Sequence, residues 1–195
     1  MVVLFDTETT SLQPGQIAQL AYVVVERGAS RGKNYFFTVD GIDPASAAVN
    51  GMTVEYLREA SGGRVFEDDL FSFRDDFERA DFVAAHNFVF DMIFMSAEYR
   101  RCGDVFHVKQ RFDTMKHFTP VLKLPSRHAA YKFPRLGELT AWLGIGDAEI
   151  EAETARLFGL NGRAHDARYD VAALSLVMSR GRDYLPPELI AAMDE

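Results

Sequence analysis

The first eight residues join an apolar run directly to two carboxylates. Val2–Phe5 is uniformly apolar, and Asp6 and Glu8 follow it with Thr7 between them. A short continuous apolar run predicts a buried strand. Residues two apart on a strand point to the same face, so Asp6 and Glu8 are predicted to lie side by side where the strand ends. The chain must therefore fold so that a buried strand brings two acids to one place.

Two carboxylates placed side by side repel each other, and one becomes protonated unless a cation lies between them. Carboxylate oxygens are ligands that Mg²⁺ and Mn²⁺ prefer. An isolated Asp-x-Glu pair is more often a solvated strand end, so Asp6 and Glu8 alone do not establish a metal site.

Two further acids are predicted on helix faces that are otherwise apolar. Asp91 is followed at helical spacing by Phe94 and Met95, and Asp170 by Ala173 and Leu174. A lone buried carboxylate is costly, so each acid needs a cation, a basic partner or a hydrogen-bonding cap. The positive end of the helix dipole also stabilises an acid in a first turn, which explains either residue taken singly.

His165 precedes Asp170 by five residues and is predicted to lie in the loop or first turn before that helix. A neutral imidazole is suited to taking a proton from water near neutral pH. The chain has four other histidines, and a single histidine is more often structural than catalytic. The fixed spacing from Asp170 is what distinguishes His165 from the others.

The hydrophobic patterns predict three strands followed by helices that alternate with one further short strand. The predicted strands are Val2–Phe5, Ile17–Val25, Asn34–Val39 and Phe82–Ala85. The predicted helices are Thr53–Arg58, Phe66–Phe77, Asp91–Arg101, Thr114–Leu122, Leu136–Leu143, an acidic stretch Asp147–Phe158, Asp166–Arg180 and a last short helix that starts at Pro186-Pro187 and ends at Met193. This order predicts an α/β fold with a central mixed sheet, its first three strands antiparallel, flanked by helices. We expect residues 1–180 to form one domain and 181–195 a helical tail that packs on it or docks a partner.

The charge of the chain is unevenly distributed. The net charge is −8, yet residues 99–137 contain nine basic and two acidic side chains. Such a tract is a candidate phosphate-facing surface, although an ordinary solvated face explains it equally well. Cys102 is the only cysteine, and neither a signal-like nor a membrane-spanning apolar stretch occurs, so we expect a cytoplasmic protein with no membrane partner.

Three short segments resemble the exonuclease motifs of the DEDDh (DnaQ-like) 3′–5′ exonucleases, which have an RNase H-like fold. The segments are Phe5-Asp6-Thr7-Glu8-Thr9-Thr10, His86-Asn87-x-x-Phe90-Asp91 and His165-Asp166-Ala167-x-x-Asp170. Their order and spacing match, as do the intervening Asn50-Gly51-Met52-Thr53 and Asp113-Thr114, and the resemblance extends from Val3 to about Met178. Three matched motifs are much more specific than any one of them.

The resemblance implies a site and a reaction. Asp6, Glu8, Asp91 and Asp170 would hold two divalent cations, Mg²⁺ or Mn²⁺, and His165 would deprotonate the attacking water. Five residues would bind the 3′-terminal nucleotide: Thr7, Thr9 and Leu12 would contact it, Asn87 would steady the site, and Phe90 would add a ring contact, although a phenylalanine in the core explains that residue more simply. Gln19 stands where relatives frequently carry glutamate. The stretch between Ile145 and Ala164 is longer than the resemblance implies, and we expect it to border the site and to move with the histidine loop.

The motifs leave the substrate and the biological setting open. The preferred interpretation is an exonuclease acting on the 3′ end of single-stranded DNA, either free-standing or as a proofreading partner of a DNA polymerase. An exonuclease that trims RNA ends is the alternative, because recognition of the 2′-hydroxyl depends on pocket shape. A non-catalytic nucleic-acid-binding or docking module predicts loss of one acid or of the histidine, and all five are present.

Overall fold

A computed structural model describes residues 1–13, 15–159 and 165–195, and its centre is a five-stranded mixed sheet with the order β3-β2-β1-β4-β5. The strands are β1 (Val2–Thr9), β2 (Ile17–Glu26), β3 (Ala29–Phe36), β4 (Phe82–Ala85) and β5 (Arg111–Asp113). β1, β2 and β3 are antiparallel, whereas β4 and β5 run parallel to β1. This confirms the predicted mixed sheet with three antiparallel strands first, as in an RNase H-like fold.

Helices flank the sheet on both faces. They are α1 (Pro44–Asn50), α2 (Val54–Ser61), α3 (Phe66–Arg79), α4 (Phe88–Arg101), α5 (Thr114–Leu122), α6 (Leu136–Trp142), α7 (Asp147–Phe158), α8 (Ala167–Arg180) and α9 (Pro187–Asp194), with a 3-10 turn at Arg182–Tyr184. α5 and α7 have the predicted bounds. α4 begins three residues before its predicted start, because its apolar first turn packs on the sheet and Phe88 is buried there.

The third strand was predicted at Asn34–Val39 but lies at Ala29–Phe36. A tight turn at Arg27 and Gly28, both with positive φ, starts β3 immediately after β2. The polar first half of β3 is therefore held extended by its pairing with β2 and carries no apolar signal of its own. The short strand β5 and helix α1 were missed for the same reason, since neither has a periodic apolar pattern.

Alternate residues of β1 supply two separate cores. Val2 and Leu4 pack with α8 in one buried cluster, whereas Val3 and Phe5 pack with the aromatic side chains of α3 and α4 in another. Asp6 and Glu8 continue the face of Val2 and Leu4, because side chains alternate along a strand. The strand thus presents its two acids on the side that α8 covers.

The pairing of β1 with β4 ends before the two acids of β1. Parallel pairing runs only from Val2 opposite Phe82 to Leu4 opposite Ala84, while β1 continues to Thr9 beside β2. Asp6 and Glu8 therefore lie within the strand and beyond the end of β4. This leaves a gap at the carboxyl edge of the sheet into which helix ends can bring side chains.

The C-terminal residues contact the same core as α8. Leu185, Leu189 and Met193 are buried in that cluster, and the Gly28 N–H donates to the Met193 carbonyl oxygen over 3.1 Å. Within the described ranges, no helix is long and apolar enough to cross a bilayer.

Gly32 of β3 lies against the end of α7, so we predict that Gly32→Ala destabilises the protein. A Cβ at Gly32 would be 2.7 Å from the Leu157 carbonyl oxygen and 2.7 Å from the Phe158 ring. The backbone contact forces α7 to shift, and we expect the free energy of unfolding to fall by about 1–3 kcal/mol in urea titration. Gly41→Ala is the control, because a Cβ there meets nothing within 4 Å. Equal losses for the two variants would contradict this packing.

Candidate active site

Three carboxylates converge on one face at the carboxyl end of β1. Asp6 and Glu8 come from the strand and Asp170 from the first turn of α8, and all three are partly buried. Each offers one carboxylate oxygen, and these oxygens lie within 4.8 Å of one another. Three converging oxygen ligands fit a hard divalent cation such as Mg²⁺ or Mn²⁺.

Asp91 approaches the same strand from the opposite layer. It lies in the first turn of α4, is 2% exposed, and its Oδ1 accepts hydrogen bonds from the Thr7 N–H at 3.1 Å and the Thr7 hydroxyl at 2.8 Å. Asp91 is therefore outside the group of three converging oxygens, although its charge acts on Asp6. Thr7, predicted as a nucleotide contact, fixes the orientation of this fourth acid.

Burial favours the neutral forms of all four acids, and repulsion by the other acids of the group adds to this effect at Asp6 and Glu8. Burial, followed by the charges of Asp91, Asp170 and Glu8, raises the pKa of Asp6 well above its usual range. Burial and the charge of Asp170 raise the pKa of Glu8 to about 8. Burial raises the pKa of Asp91 to about 7 and that of Asp170 to about 6. Since a cation among them would restore the charged forms, the chemistry of this donor set fits divalent metal binding.

Asn50 supports the site, and the sequence pattern did not assign it this role. Its buried side chain makes a hydrogen bond with Glu8 that lowers the pKa of that acid, and its Oδ1 accepts from the Met52 N–H at 3.0 Å. Gly51 between them has φ 72°, a left-handed conformation that suits glycine. The motif Asn50-Gly51-Met52-Thr53 therefore forms a turn that holds the Asn50 side chain against Glu8.

His165 and Asn87 each precede a helix that carries an acid, and both have left-handed backbone conformations. The φ angle is 63° at His165 and 74° at Asn87. Such angles are uncommon for residues other than glycine, although Asn and His tolerate them better than most. His165 is exposed, and its charge and its backbone hydrogen bond act to lower the pKa of Asp170.

Gln19 holds the start of α8 to the sheet. Its Nε2 donates to Asn34 Oδ1 at 2.7 Å and to Asp166 Oδ1 at 3.0 Å, and its Oε1 accepts from the Ala167 N–H at 3.2 Å. Asp166 caps α8 and also pairs with Arg168. Burial acts to raise the pKa of Asp166, but the hydrogen bonds from Arg168 and Gln19 outweigh burial and hold that pKa below its usual value.

The side chain of Gln19 is neutral, so it adds no negative charge to the site, whereas a glutamate at this position would. Gln19 lies directly opposite Glu8 in the antiparallel pair, so their side chains share a face. A glutamate there would face both Glu8 and Asp166. The neutral side chain instead donates to one acid and adds no repulsion to the other.

Two cavities adjoin the carboxylates. The larger, about 620 Å³, is lined by Asp6, Asp170, His165 and His86, and also by Arg135 and by Asp147 at the start of α7. The smaller, about 240 Å³, is lined by Glu8 and by four of the five predicted nucleotide contacts, namely Thr7, Thr9, Leu12 and Phe90. Asn87, the fifth, does not line it, and its backbone N–H donates to Asp113 Oδ1.

The long stretch between Ile145 and Ala164 lies partly beside the larger cavity. Asp147 lines the cavity and accepts a hydrogen bond from the Tyr169 hydroxyl at 3.1 Å. Residues 160–164 lie outside the described residues, so movement of this stretch with the histidine loop stays a prediction.

Comparison with known proteins identifies the family to which these motifs are similar. A family model described as Exonuclease (RNase_T) matches residues 3–178, which include every acid of the site and His165. Among curated proteins, no match to the chain is found.

The raised pKa values predict that the metal-free protein loses stability as pH rises. Each acid has a higher pKa in the folded than in the unfolded state, so the folded state holds its proton more tightly. The stability of the folded state is therefore full below about pH 4, where both states are protonated. It is lost as pH rises through the folded pKa values, near 6 for Asp170 and near 8 for Glu8. We expect Asp170→Asn to stabilise the metal-free protein by about 1–3 kcal/mol near pH 8.5 and to have little effect near pH 4.

Thermal unfolding with a chelator or with Mn²⁺ at both pH values measures this effect. Mn²⁺ should raise the Tm of the unmodified protein more at the higher pH, since the ion replaces the protons that the acids otherwise require. Asp183→Asn is the matched control, because Asp183 is exposed and remote from the site. A metal-free Asp170→Asn variant that is less stable near pH 8.5 would argue against the repulsion.

Gln19→Glu is predicted to destabilise the protein, and Asp166→Asn is predicted to rescue part of that loss. Gln19→Glu places two carboxylates at a contact of 3.0 Å. Asp166→Asn then gives residue 166 an amide N–H that donates to the new carboxylate at residue 19. A double-mutant cycle in urea should show a favourable coupling of about 1 kcal/mol or more. Gln110→Glu, at an exposed position, is the control. Strictly additive losses would mean that the contact contributes nothing.

Proposed function

Because the chain belongs to the exonuclease family whose model matches residues 3–178, we propose that it is a metal-dependent 3′–5′ exonuclease acting on single-stranded DNA. The observation that carries the proposal is the convergence of Asp6, Glu8 and Asp170, with Asp91 behind them and His165 beside the same cavity. Members of the family normally use divalent metals, and nucleic acid is the substrate class that the family implies.

We assign the four acids to cation binding. Asp6, Glu8 and Asp170 supply the converging oxygens, and Asp91 supplies the second carboxylate oxygen that Thr7 leaves free. Two bound divalent cations, Mg²⁺ or Mn²⁺, contribute stabilisation of negative charge on the attacking and leaving oxygens of an in-line displacement. The electrostatic strain among the acids is what makes this cation binding favourable.

We assign the proton transfer to His165. It is exposed on the wall of the larger cavity beside Asp170, where an imidazole reaches solvent. His165 takes a proton from the attacking water while the water oxygen bonds to phosphorus and the bond from phosphorus to the 3′ oxygen breaks. The 3′ oxygen of the shortened strand takes a proton from solvent, His165 returns its proton to solvent, and the product is a nucleoside 5′-monophosphate.

We place the terminal nucleotide in the smaller cavity. Leu12, Val49 and Phe90 give this cavity an apolar wall, and Leu12 is 83% exposed, so it is free to contact a base. A base that stacks on apolar side chains is bound whatever its identity, because every base has a flat face. DNA is preferred over RNA in this proposal, and the enzyme acts either alone or with a DNA polymerase.

We also propose that residues 1–180 form the catalytic domain and that 181–195 serve as a tail packed on it. Leu189 and Met193 bury their side chains in the core that carries α8. The tail thereby supports the helix that delivers Asp170.

The nuclease prediction is tested with strands labelled at the 5′ end. We expect Mn²⁺ or Mg²⁺ to produce a ladder that shortens from the 3′ end, whereas the opposite polarity would release the label at once as a mononucleotide. Asp6→Asn and a chelator should abolish the ladder, and His165→Ala should slow cleavage by about 10²–10⁴-fold, as expected for loss of a general base. Asp183→Asn is the matched control.

Parallel reactions with single-stranded DNA, duplex DNA and RNA of one sequence test the substrate. Faster trimming of RNA than of DNA would overturn the preferred polymer. Undiminished cleavage by Asp6→Asn would overturn the metal assignment, because that acid lies at the centre of the repelling group.

A further inference from the structure

The nine basic residues between 99 and 137 divide into two groups. Four are neutralised by acids: Arg101 by Glu98, Lys109 by Asp81, Lys116 by Asp113 and Lys132 by Glu138. The other five have no ion pair with any described residue and are exposed: Arg100, Arg111, Lys123, Arg127 and Arg135. Three of these five lie in one segment, residues 123–135, which we call the basic loop.

The basic loop is a compact projection between α5 and α6. The Lys132 N–H donates to the Leu124 carbonyl oxygen at 3.0 Å and closes its base. At its tip the Ser126 hydroxyl accepts from the N–H groups of His128 and Ala129, at 3.2 and 3.1 Å. These internal bonds hold the loop in shape, and residues 125–133 are exposed.

The basic loop exposes aromatic rings as well as cations. Tyr131 is 38% exposed and Phe133 is 56% exposed, although side chains of this size are usually buried in a core. Neither ring has a described aromatic partner, in contrast to the closely packed rings around α3. Exposed rings interleaved with unpaired cations are typical of surfaces that bind single-stranded nucleic acid.

The C-terminal end of the basic loop is fixed to the active site. The Pro134 carbonyl oxygen accepts from His86 Nε2 at 3.0 Å, and His86 directly follows β4. Burial lowers the pKa of His86, which favours the neutral ring, whose Nδ1 then accepts from the Thr114 hydroxyl at 3.0 Å. The next residue, Arg135, lines the larger cavity together with Asp6, Asp170 and His165. The C-terminal end of the loop therefore lies at the cavity wall.

The charge distribution explains why a substrate strand needs such a surface. A strand whose 3′ end lies at the carboxylates carries negative phosphates past a protein that, outside residues 99–137, has a net charge of −15. Cations bound among the acids offset repulsion only at the scissile phosphate. Phosphates further upstream require separate positive groups, and the basic loop provides three that no described acid neutralises.

We propose that the basic loop binds the single-stranded part of the substrate upstream of the terminal nucleotide, with Lys123, Arg127 and Arg135 on phosphates and Tyr131 and Phe133 on bases. This inference rests on the proposed nuclease function for the direction of the strand. It predicts that affinity increases with strand length until the strand spans the loop.

The test compares Lys123→Gln/Arg127→Gln with the matched double variant Arg79→Gln/Arg100→Gln. The control removes the same charge at positions that are also exposed and have no ion pair with a described residue, at the C-terminal ends of α3 and α4, remote from the site. Each pair of substitutions is made in the Asp6→Asn variant, so that bound strands are not cleaved during the measurement. Affinity is measured by fluorescence anisotropy with thymidine oligonucleotides, from a dinucleotide to a strand of about 20 nucleotides, in Mg²⁺ buffers of increasing salt.

We expect the loop variant to bind the longest strand about tenfold more weakly at moderate salt and the dinucleotide less than about twofold more weakly. The slope of log Kd against log salt should fall by about 1.4, since each lost phosphate contact on a single strand removes about 0.7. Tyr131→Ala should weaken long strands severalfold without changing that slope, because stacking releases no counterions.

The outcomes separate this proposal from the proposed function. Equal behaviour of the loop and control variants, or equal losses for long and short strands, would overturn the role of the loop. If the unmodified protein cleaves no nucleic acid, the proposed function fails. If the loop variant of that protein still loses length-dependent binding, the basic loop stands as a strand-binding surface.

Discussion

Repulsion among four carboxylates, one buried and three partly buried, is the constraint on which the rest of the structure depends. Asp6, Glu8, Asp91 and Asp170 each have a pKa raised by burial and by neighbouring charge. A chain left to minimise its own free energy would not collect them, because each adds to the desolvation and repulsion of the others. Their convergence is stable only because two independently packed cores support it, one on each face of β1.

The surrounding polar groups limit this repulsion with almost no added charge. Thr7 donates two hydrogen bonds to Asp91, Asn50 contacts Glu8, and Gln19 donates to Asp166 in place of a further acid. Arg168 pairs with Asp166 and lies on the helix that carries Asp170. The described residues therefore orient the acids and leave their charge to be balanced from outside.

Charge is segregated along the chain in a way that matches this arrangement. The acids converge at the carboxyl end of β1, whereas three cations that no described acid neutralises lie in the basic loop, which His86 fixes to the edge of the site. A net charge of −8 is thus compatible with a polyanionic substrate, since the local field and not the total charge decides what approaches.

The sequence by itself determined the type of every strand and α-helix except β5 and α1, and the identity of the motif residues. The spans of β4, α5 and α7 follow from apolar runs and helical spacing, which are local properties. Only the tertiary structure decided the extent of β3 and β5, whose polar residues are extended by their partners, and the roles of Asn50, Gln19 and His86. It also decided that Asp91 reaches the site from the opposite layer to Asp170. Local patterns show which face a side chain occupies, but distances between residues far apart in the chain depend on how the layers pack.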